Sequence, residues 1–383
     1  MRVLMIVRQF SPWVGGTERQ AQKLAAKLIE LGVDVSVVTG WWAWGTPRRE
    51  IIETIPVFRN FTCWGMFGLK GLRKFGGYIY ILSLFRYLWK QRQKYDLIHI
   101  HMLSYPAFPA VLAGRWFGKK TIVKTANSGQ GSDILRMQKN DLLPGQRQML
   151  PVALGADQIV AINQQVIEEL RQAGVPSERI VVIPNGVEVN GLSHKCDYGL
   201  DGTVTVVFVG RLHSQKGLNV LLQAFKQVIR SRLGISWRLW LLGDGPLRPE
   251  LETMAKQLGI AQEVEFWGQV NNVPDYLAQA DMFVLPSQAE GMSNALLEAM
   301  AHGLPCVATR ISGNTDLIQH GENGLLVHPE SETALAEALI HLSDDEALRQ
   351  QVGRMARQMV EAEYSIDSIA KRYIRLYRTL LQA

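Results

Sequence analysis

The chain has 383 residues, 47% of them hydrophobic and 20% charged, which marks an ordinary globular protein of two or three domains and excludes a disordered or fibrous one. Its formal charge of +6 is unevenly spread: residues 1–195 hold 25 Lys and Arg against 13 Asp and Glu, and the remainder holds 16 against 22. Such asymmetry points to an anionic partner, nucleic acid or membrane, for the first half.

Residues 2–7 read as a short buried strand, with an apolar run too brief for a signal-peptide core. The segment Phe10-Ser-Pro-Trp-Val-Gly15-Gly16-Thr17-Glu18 then leads into a helix to about residue 31, with Leu24, Leu28 and Leu31 on one face. Gly32 ends that helix, and residues 33–39 form the next strand. Gly15 and Gly16 either let the backbone approach a ligand closely or simply make a βα turn. No G-x-G-x-x-G occurs, which argues against a dinucleotide-dependent dehydrogenase. Cys63, Cys196 and Cys306 are odd in number and far apart. They mark neither a disulfide framework nor a zinc site, and they fit a reducing cytoplasm.

Residues 54–95 contain no acid and eight basic residues: Arg59, Lys70, Arg73, Lys74, Arg86, Lys90, Arg92 and Lys94. Aromatics are interleaved, among them Trp64, Phe67, Phe75, Tyr78, Tyr80, Phe85, Tyr87 and Trp89. The run 78–89 is apolar but for Arg86, too short to cross a bilayer. Two readings stand: a helix lying on an anionic membrane surface, or a helix whose apolar residues cover a sheet. Nucleic acid is disfavoured, because no reading module accompanies the charge.

Residues 95–101 (YDLIHIH) form a strand with His99 and His101 on one face. Without a third ligand they do not make a metal site, and His99 reads as a core histidine. The strand 121–124 runs into a polar loop, residues 125–133, where Asn127 and Ser128 are candidate acceptor contacts. A strand at 157–162, a helix at 164–173 and a strand at 180–187 follow; the polar run 187–202 reads as a linker.

The second half restarts the alternation with a strand at 204–209, the loop Gly210-Arg211 to Lys216-Gly217, and a helix through about residue 229. Two cations on a glycine-bounded loop at a helix start suit an anion. A strand at 237–242 ends in Gly243, and one at 263–267 leads to Gly268-Gln269-Val270. The densest stretch follows. A buried strand at 281–285 precedes Ser287 to Glu290, then a helix capped by Ser293 or Asn294 and ended by Gly303 and Pro305. Glu290 and Glu298 flank the helix N-terminus formed by Gly291, Met292 and Ser293. A carboxylate beside an anion site is not there to hold phosphate; each can accept two hydrogen bonds from a vicinal diol. Helices at 331–342, 345–361 and 365–380 complete the chain, the last with Ile366, Ile369, Tyr373, Leu376 and Leu380 on one face.

The pattern P-S-x-x-E-G-x-x-x-x-L-L-E-A-M-A-x-G-x-P at 286–305, with G-R-L-x-x-x-K-G at 210–217 and D-h-h-H-h-H at 96–101, resembles the retaining family 4 glycosyltransferases of the GT-B fold. The resemblance implies an α/β architecture of two doubly wound Rossmann-like domains facing each other across a cleft. These are an acceptor-side domain, 1–186 with the terminal helix 365–383, a linker at 187–202, and a nucleotide-sugar domain at 203–364. It implies transfer of a sugar from a UDP or GDP sugar to an acceptor hydroxyl with retained configuration, in polysaccharide, lipopolysaccharide or glycolipid synthesis. The nucleotide sugar is then a co-substrate, and no cofactor or metal is expected. Gly15 and Gly16 would close over the donor; Gly210, Arg211, Lys216, Gly291, Met292 and Ser293 would cradle its diphosphate. Val270 would meet the base, Glu298 the ribose, Glu290 the sugar hydroxyls, and His101 the reacting sugar. The expected partners are a sugar, glycolipid or lipid-linked acceptor and an anionic membrane, at the inner face of the cytoplasmic membrane. The same fold also serves sugar-nucleotide epimerases and phosphorylases.

Overall fold

A computed structural model of the chain describes residues 1–12, 15–63, 73–200 and 202–382. Trp64, Phe67 and Lys70 of the basic stretch, and two residues of the loop before Gly15, lie outside these. The polypeptide divides into two units, Met1–Gly186 with Ile366–Ala383, and Val187–Ser365.

The first unit is built on β1 (Arg2–Ile6), β2 (Asp34–Gly40), β3 (Arg49–Ile52), β4 (Ile55–Asn60), β5 (Leu97–Ile100), β6 (Lys120–Lys124), β7 (Gln158–Ala161) and β8 (Ile180–Val182). They lie in the order β3-β4-β2-β1-β5-β6-β7-β8. All pairs are parallel except the β3–β4 hairpin at one edge. The central strands β1 and β5 are buried almost throughout, with all four residues of β5 buried and only His99 polar among them. Leu24 and Leu28 of helix Gly16–Glu30 share one core with Ile366, Ile369, Tyr373, Tyr377 and Leu380 of helix Ile366–Gln382. That i, i+3, i+7 pattern is what the terminal helix offers as its apolar stripe.

The hairpin is an addition to the sequence reading, which takes 54–95 as one basic, aromatic stretch and assigns no strand in it. Its four-residue edge strand is too short to show an alternation, and its turn rests on Glu53 at φ 56. One member of the basic stretch is consequently structural. Arg59 is buried, donates to the carbonyls of Pro47 at 2.9 Å and Ser11 at 2.6 Å, and pairs with Glu50.

The second unit carries β9 (Thr203–Val209), β10 (Ser236–Leu242), β11 (Val264–Gly268), β12 (Met282–Leu285), β13 (Cys306–Thr309) and β14 (Leu325–Val327), in the order β11-β10-β9-β12-β13-β14 and parallel throughout. In each sheet the chain winds outward one way, then returns to the middle and winds out the other way. The reversals fall between β1 and β5 and between β9 and β12. In doubly wound sheets, ligands bind outside the strands' carboxyl ends at such a point.

Residues 187–202 are not a free linker. Tyr198 is buried and donates its hydroxyl to the carbonyl of Gly303 at 2.9 Å, while Arg349 donates to the Tyr198 carbonyl at 2.9 Å. Lys195 pairs with Asp281 at 2.9 Å. One buried tyrosine, one ion pair and one hydrogen bond to a backbone carbonyl give this segment no periodicity, so its attachment to the second unit is invisible in the sequence.

Candidate functional site

In the second unit, the loop after β9 and the loop after β12 meet at the reversal point. Gly217 stands at φ 64, and a Cβ there would lie 2.2 Å from the carbonyl oxygen of Pro286. Only glycine lets the start of helix Leu218–Ser231 pass this close to the end of β12. The consequence is that Lys216 reaches Glu290: Nζ lies 2.5 Å from Oε1, with both side chains largely buried. Ser287 donates its hydroxyl to the same carboxylate oxygen at 2.6 Å. The two loops are also laced together by Gln215, whose side chain donates to Ala289 at 2.7 Å and whose carbonyl accepts from the Gln288 amide at 2.8 Å.

The Glu290 loop is held from its other side as well. The Thr309 hydroxyl donates to the Ser287 carbonyl at 2.5 Å, and Asn314 donates to the Thr309 carbonyl at 2.9 Å. Gly313 packs so tightly that a Cβ would sit 2.5 Å from the carbonyl oxygen of Gly291. Ser287, Thr309, Gly313 and Asn314 were given no role from the sequence. The bond from Thr309 to Ser287 and the approach of Gly313 to Gly291 join positions about twenty residues apart, which no local pattern signals.

The helix Asn294–Ala301 begins as expected. Ser293 is its N-cap, its hydroxyl accepting from the Leu296 amide at 3.3 Å. Met292 and Ser293 are buried at the helix start; Glu298 is half-buried one turn on. Thus Glu290, Lys216 and the helix N-terminus stand at one sheet edge. Arg211, on the same loop as Lys216, is exposed, and Gly210 closes the end of β9 through its amide to the Leu242 carbonyl at 2.9 Å. Val270 follows the end of β11, where the Gly243 amide donates to the Gly268 carbonyl at 2.8 Å.

In the first unit, His101 sits at the carboxyl end of β5 beside β1, its amide donating to the Ile6 carbonyl at 2.9 Å. Its ring is buried with no partner for either nitrogen. Burial, reinforced by Lys124 and His99, holds its pKa well below the ordinary histidine value, so the imidazole is neutral near pH 7. His99 is a core residue as expected: Nδ1 lies 2.8 Å from the Tyr377 hydroxyl, and burial lowers its pKa to about 3. Lys124 is also buried, donates to Asn185 at 2.9 Å, and is lowered to about 7 by desolvation. Neither Lys124 nor Asn185 was singled out from the sequence.

Gly15 is the N-cap of helix Gly16–Glu30, its amide donating to the Glu18 carboxylate at 3.1 Å. Asn127 donates to Asp133 at 2.7 Å, and buried Ser128 accepts from Asn163 at 3.4 Å. These two candidate acceptor contacts are therefore engaged in shaping their own loop. Burial raises the Asp133 carboxyl to about 6.

Two family descriptions match this sequence: "Glycosyl transferases group 1" over residues 203–345 and "Glycosyltransferase Family 4" over residues 14–190. The chain belongs to the family 4, group 1 glycosyltransferases. Among its relatives, N-acetyl-alpha-D-glucosaminyl L-malate synthase of Bacillus anthracis is 27% identical over 300 residues, 76% of this chain and 77% of that one. An Escherichia coli UDP-Gal:alpha-D-GlcNAc-diphosphoundecaprenol alpha-1,3-galactosyltransferase is 27% identical across 70% of this chain and 71% of its own. The fold is shared with sucrose-phosphate synthase from Thermosynechococcus elongatus (TM-score 0.83, 22% identity, 100% and 99% coverage). It is shared too with Anabaena HepE, solved with UDP-glucose (TM-score 0.76, 20% identity, 99% and 100% coverage).

In this glycosyltransferase, no group of three His, Cys, Asp or Glu residues that suits a metal is brought together among the described residues. Nor is any described helix long and apolar enough to cross a membrane. Helix Arg73–Gln91 buries Tyr80, Ile81, Leu84 and Leu88 but leaves Phe75, Tyr78, Leu82 and Trp89 exposed. Trp116 is exposed beside it, its ring 5.4 Å from that of Phe85, and Arg86, Lys90, Arg92 and Lys94 are exposed too.

Proposed function

We propose that this enzyme moves a hexosyl group from a UDP or GDP sugar to an acceptor hydroxyl with retention of anomeric configuration. The observation that carries this reading is the Lys216–Glu290 pair at the reversal point of the second sheet, beside the N-terminus of helix Asn294–Ala301. Departure of a nucleoside diphosphate builds about one negative charge on the bridging oxygen. Lys216, exposed Arg211 and the amides at Gly291–Ser293 would receive it, and fixed donors aimed at developing charge are usually the largest catalytic term. Glu290 holds Lys216 in place and accepts from the donor sugar's hydroxyls; Glu298 accepts from the ribose. Gly15 and Gly16 would approach the donor, Gly210 the diphosphate and Val270 the base. His101, uncharged, would bond a sugar hydroxyl rather than act as a cation. No side chain is assigned as nucleophile. Attack on the leaving-group face, with a donor phosphate oxygen taking the acceptor proton, gives retention.

The acceptor is proposed to be a sugar, glycolipid or lipid-linked sugar met at the inner face of the cytoplasmic membrane. The exposed apolar and basic side chains of helix Arg73–Gln91 support this. Lys216→Ala tests the chemistry. Because the charge grows in the transition state, kcat should fall on the order of a hundredfold, together with weaker donor binding, and activity should survive excess EDTA. Abolition by EDTA with rescue by magnesium or manganese would overturn the metal-free reading. Conversion of a sugar nucleotide to its epimer, without transfer, would overturn glycosyl transfer itself.

A further inference from the structure

Strands β12 and β13 pair in parallel, with Phe283 opposite Cys306 and Leu285 opposite Ala308. Thr309 therefore ends β13 level with the start of the loop that carries Glu290. Ser287, Thr309 and Asn314 are all buried there. Their polar groups form one chain of hydrogen bonds. The Asn314 side-chain amide donates to the Thr309 carbonyl at 2.9 Å and to its hydroxyl oxygen at 3.3 Å. That hydroxyl donates onward to the Ser287 carbonyl at 2.5 Å. The Ser287 hydroxyl donates in turn to Oε1 of Glu290 at 2.6 Å, the atom that Lys216 also meets. The turn Ser312–Thr315 presses on the same backbone, since a Cβ on Gly313 would lie 2.7 Å from the Glu290 carbonyl oxygen.

Anchoring the loop does not account for this chain, because Gln215 already ties both Gln288 and Ala289. Burying two hydroxyls and an amide is costly unless each finds its partner. What the chain adds is direction. Two donors converging on one carboxylate oxygen, one of them a cation, fix how the carboxylate lies. A sugar differs from its epimer only in the direction of one hydroxyl. A carboxylate that can turn follows either epimer, whereas one locked by its supports favours the hydroxyl that points at it.

We propose that Asn314, Thr309 and Ser287 form a specificity relay, which locks the Glu290 carboxylate so that the enzyme separates a hexosyl donor from its epimer. Thr309 is the central positioning residue and acts through Ser287 and Glu290. The inference rests on the reading of Glu290 as the group that accepts from the donor sugar's hydroxyls.

Calorimetric titration of the full chain tests it, with UDP-glucose and UDP-galactose, their N-acetylamino counterparts, GDP-glucose and GDP-mannose, and bare UDP and GDP. The wild type should separate the members of at least one epimeric pair. Thr309→Val keeps the shape without the hydroxyl and should shrink that affinity ratio about tenfold, with affinity for the bare nucleotide unchanged. Ser287→Ala removes the last link and should do the same; it decides the matter if Thr309→Val does not fold. Thr309→Ser keeps the hydroxyl and should retain the ratio. Glu290→Gln separates the two levels of the argument. A ratio intact in Glu290→Gln removes Glu290 from the sugar, and the relay falls with it. A ratio lost in Glu290→Gln but kept in the folded relay variants overturns the relay alone. The relay is also overturned if the wild type separates no pair, or if its variants weaken bare nucleotide as much as sugar nucleotide.

Discussion

Glu298 is half-buried one turn inside helix Asn294–Ala301. If it accepts two ribose hydroxyls, Glu298→Gln keeps the shape but gives up a charge-assisted contact of roughly 1.5–3 kcal/mol. Calorimetric titration with UDP and GDP should show about a tenfold or greater loss of affinity for the preferred nucleotide, with an unchanged melting temperature in its absence. Unchanged affinity would remove Glu298 from the site. The buried histidines make a different prediction. His99 has a folded pKa of about 3 against an ordinary value of 6.5, so between those pH values the unfolded chain binds more protons than the folded one. Stability therefore falls as pH drops below 6.5, and His101 acts in the same direction. Asp133, raised to about 6, acts in the opposite direction between pH 3.8 and 6. Urea titrations of wild type and His99→Phe isolate the histidine: the variant's pH slope should be shallower by up to about 1.4 kcal/mol per pH unit. Parallel slopes would mean that His99 stays accessible to protons when folded.

At the scale of elements, the apolar run of helix Arg73–Gln91 is divided between an inward and an outward face. Tyr80, Ile81, Leu84 and Leu88 are buried in the protein, while Leu82 is 71% exposed and Trp89 49% exposed. A single apolar stripe would have left the outward positions polar. If the outward residues enter an anionic bilayer, Arg86 and Lys90 each add about 1 kcal/mol at its surface. Arg86→Gln with Lys90→Gln should then weaken sedimentation with anionic vesicles roughly thirtyfold at low salt, with Leu82→Asp weakening it further. Equal binding to neutral vesicles, or none to either, would leave the exposed face without this role. What the sequence revealed about such elements depended on length and locality. The helix at 294–301, with Ser293 before it and Gly303 after, announced both ends because capping chemistry is local. Glu290, Glu298 and Lys216 were legible as a spaced motif, but their convergence through Gly217 against Pro286 was not. The hairpin β3–β4 and the anchoring of Tyr198 stayed hidden, since a four-residue strand and one buried tyrosine make no period. The neutrality of His101 depends on burial, which spacing does not report.

Across the whole molecule the two units are unequal in how the chain closes them. The second, Val187–Ser365, is continuous in sequence and contains Lys216, Glu290 and Glu298 as well as the clamp of Ser287, Thr309 and Asn314. The first is discontinuous: its core needs Ile366, Ile369, Ala370, Tyr373, Ile374, Tyr377 and Leu380 from the far end of the chain. Burying each of the six larger side chains is worth about 1.5–3 kcal/mol, so losing them removes about 9–18 kcal/mol, as much as the roughly 5–15 kcal/mol by which a domain is stable. Tyr377 also bonds His99, and the Gln20 side chain donates to the Gly186 carbonyl at 2.9 Å beside Ile366. Residues 187–365 expressed alone should therefore fold cooperatively and bind the nucleotide preferred by the full chain within about tenfold of its affinity. Residues 1–186 alone should be unfolded or aggregated, and residues 1–186 joined to 366–383 by a short flexible linker should regain a cooperative thermal transition. A folded 1–186 fragment would show that the terminal helix is an accessory. Loss of nucleotide binding by a folded 187–365 fragment would show that binding needs residues outside 187–365.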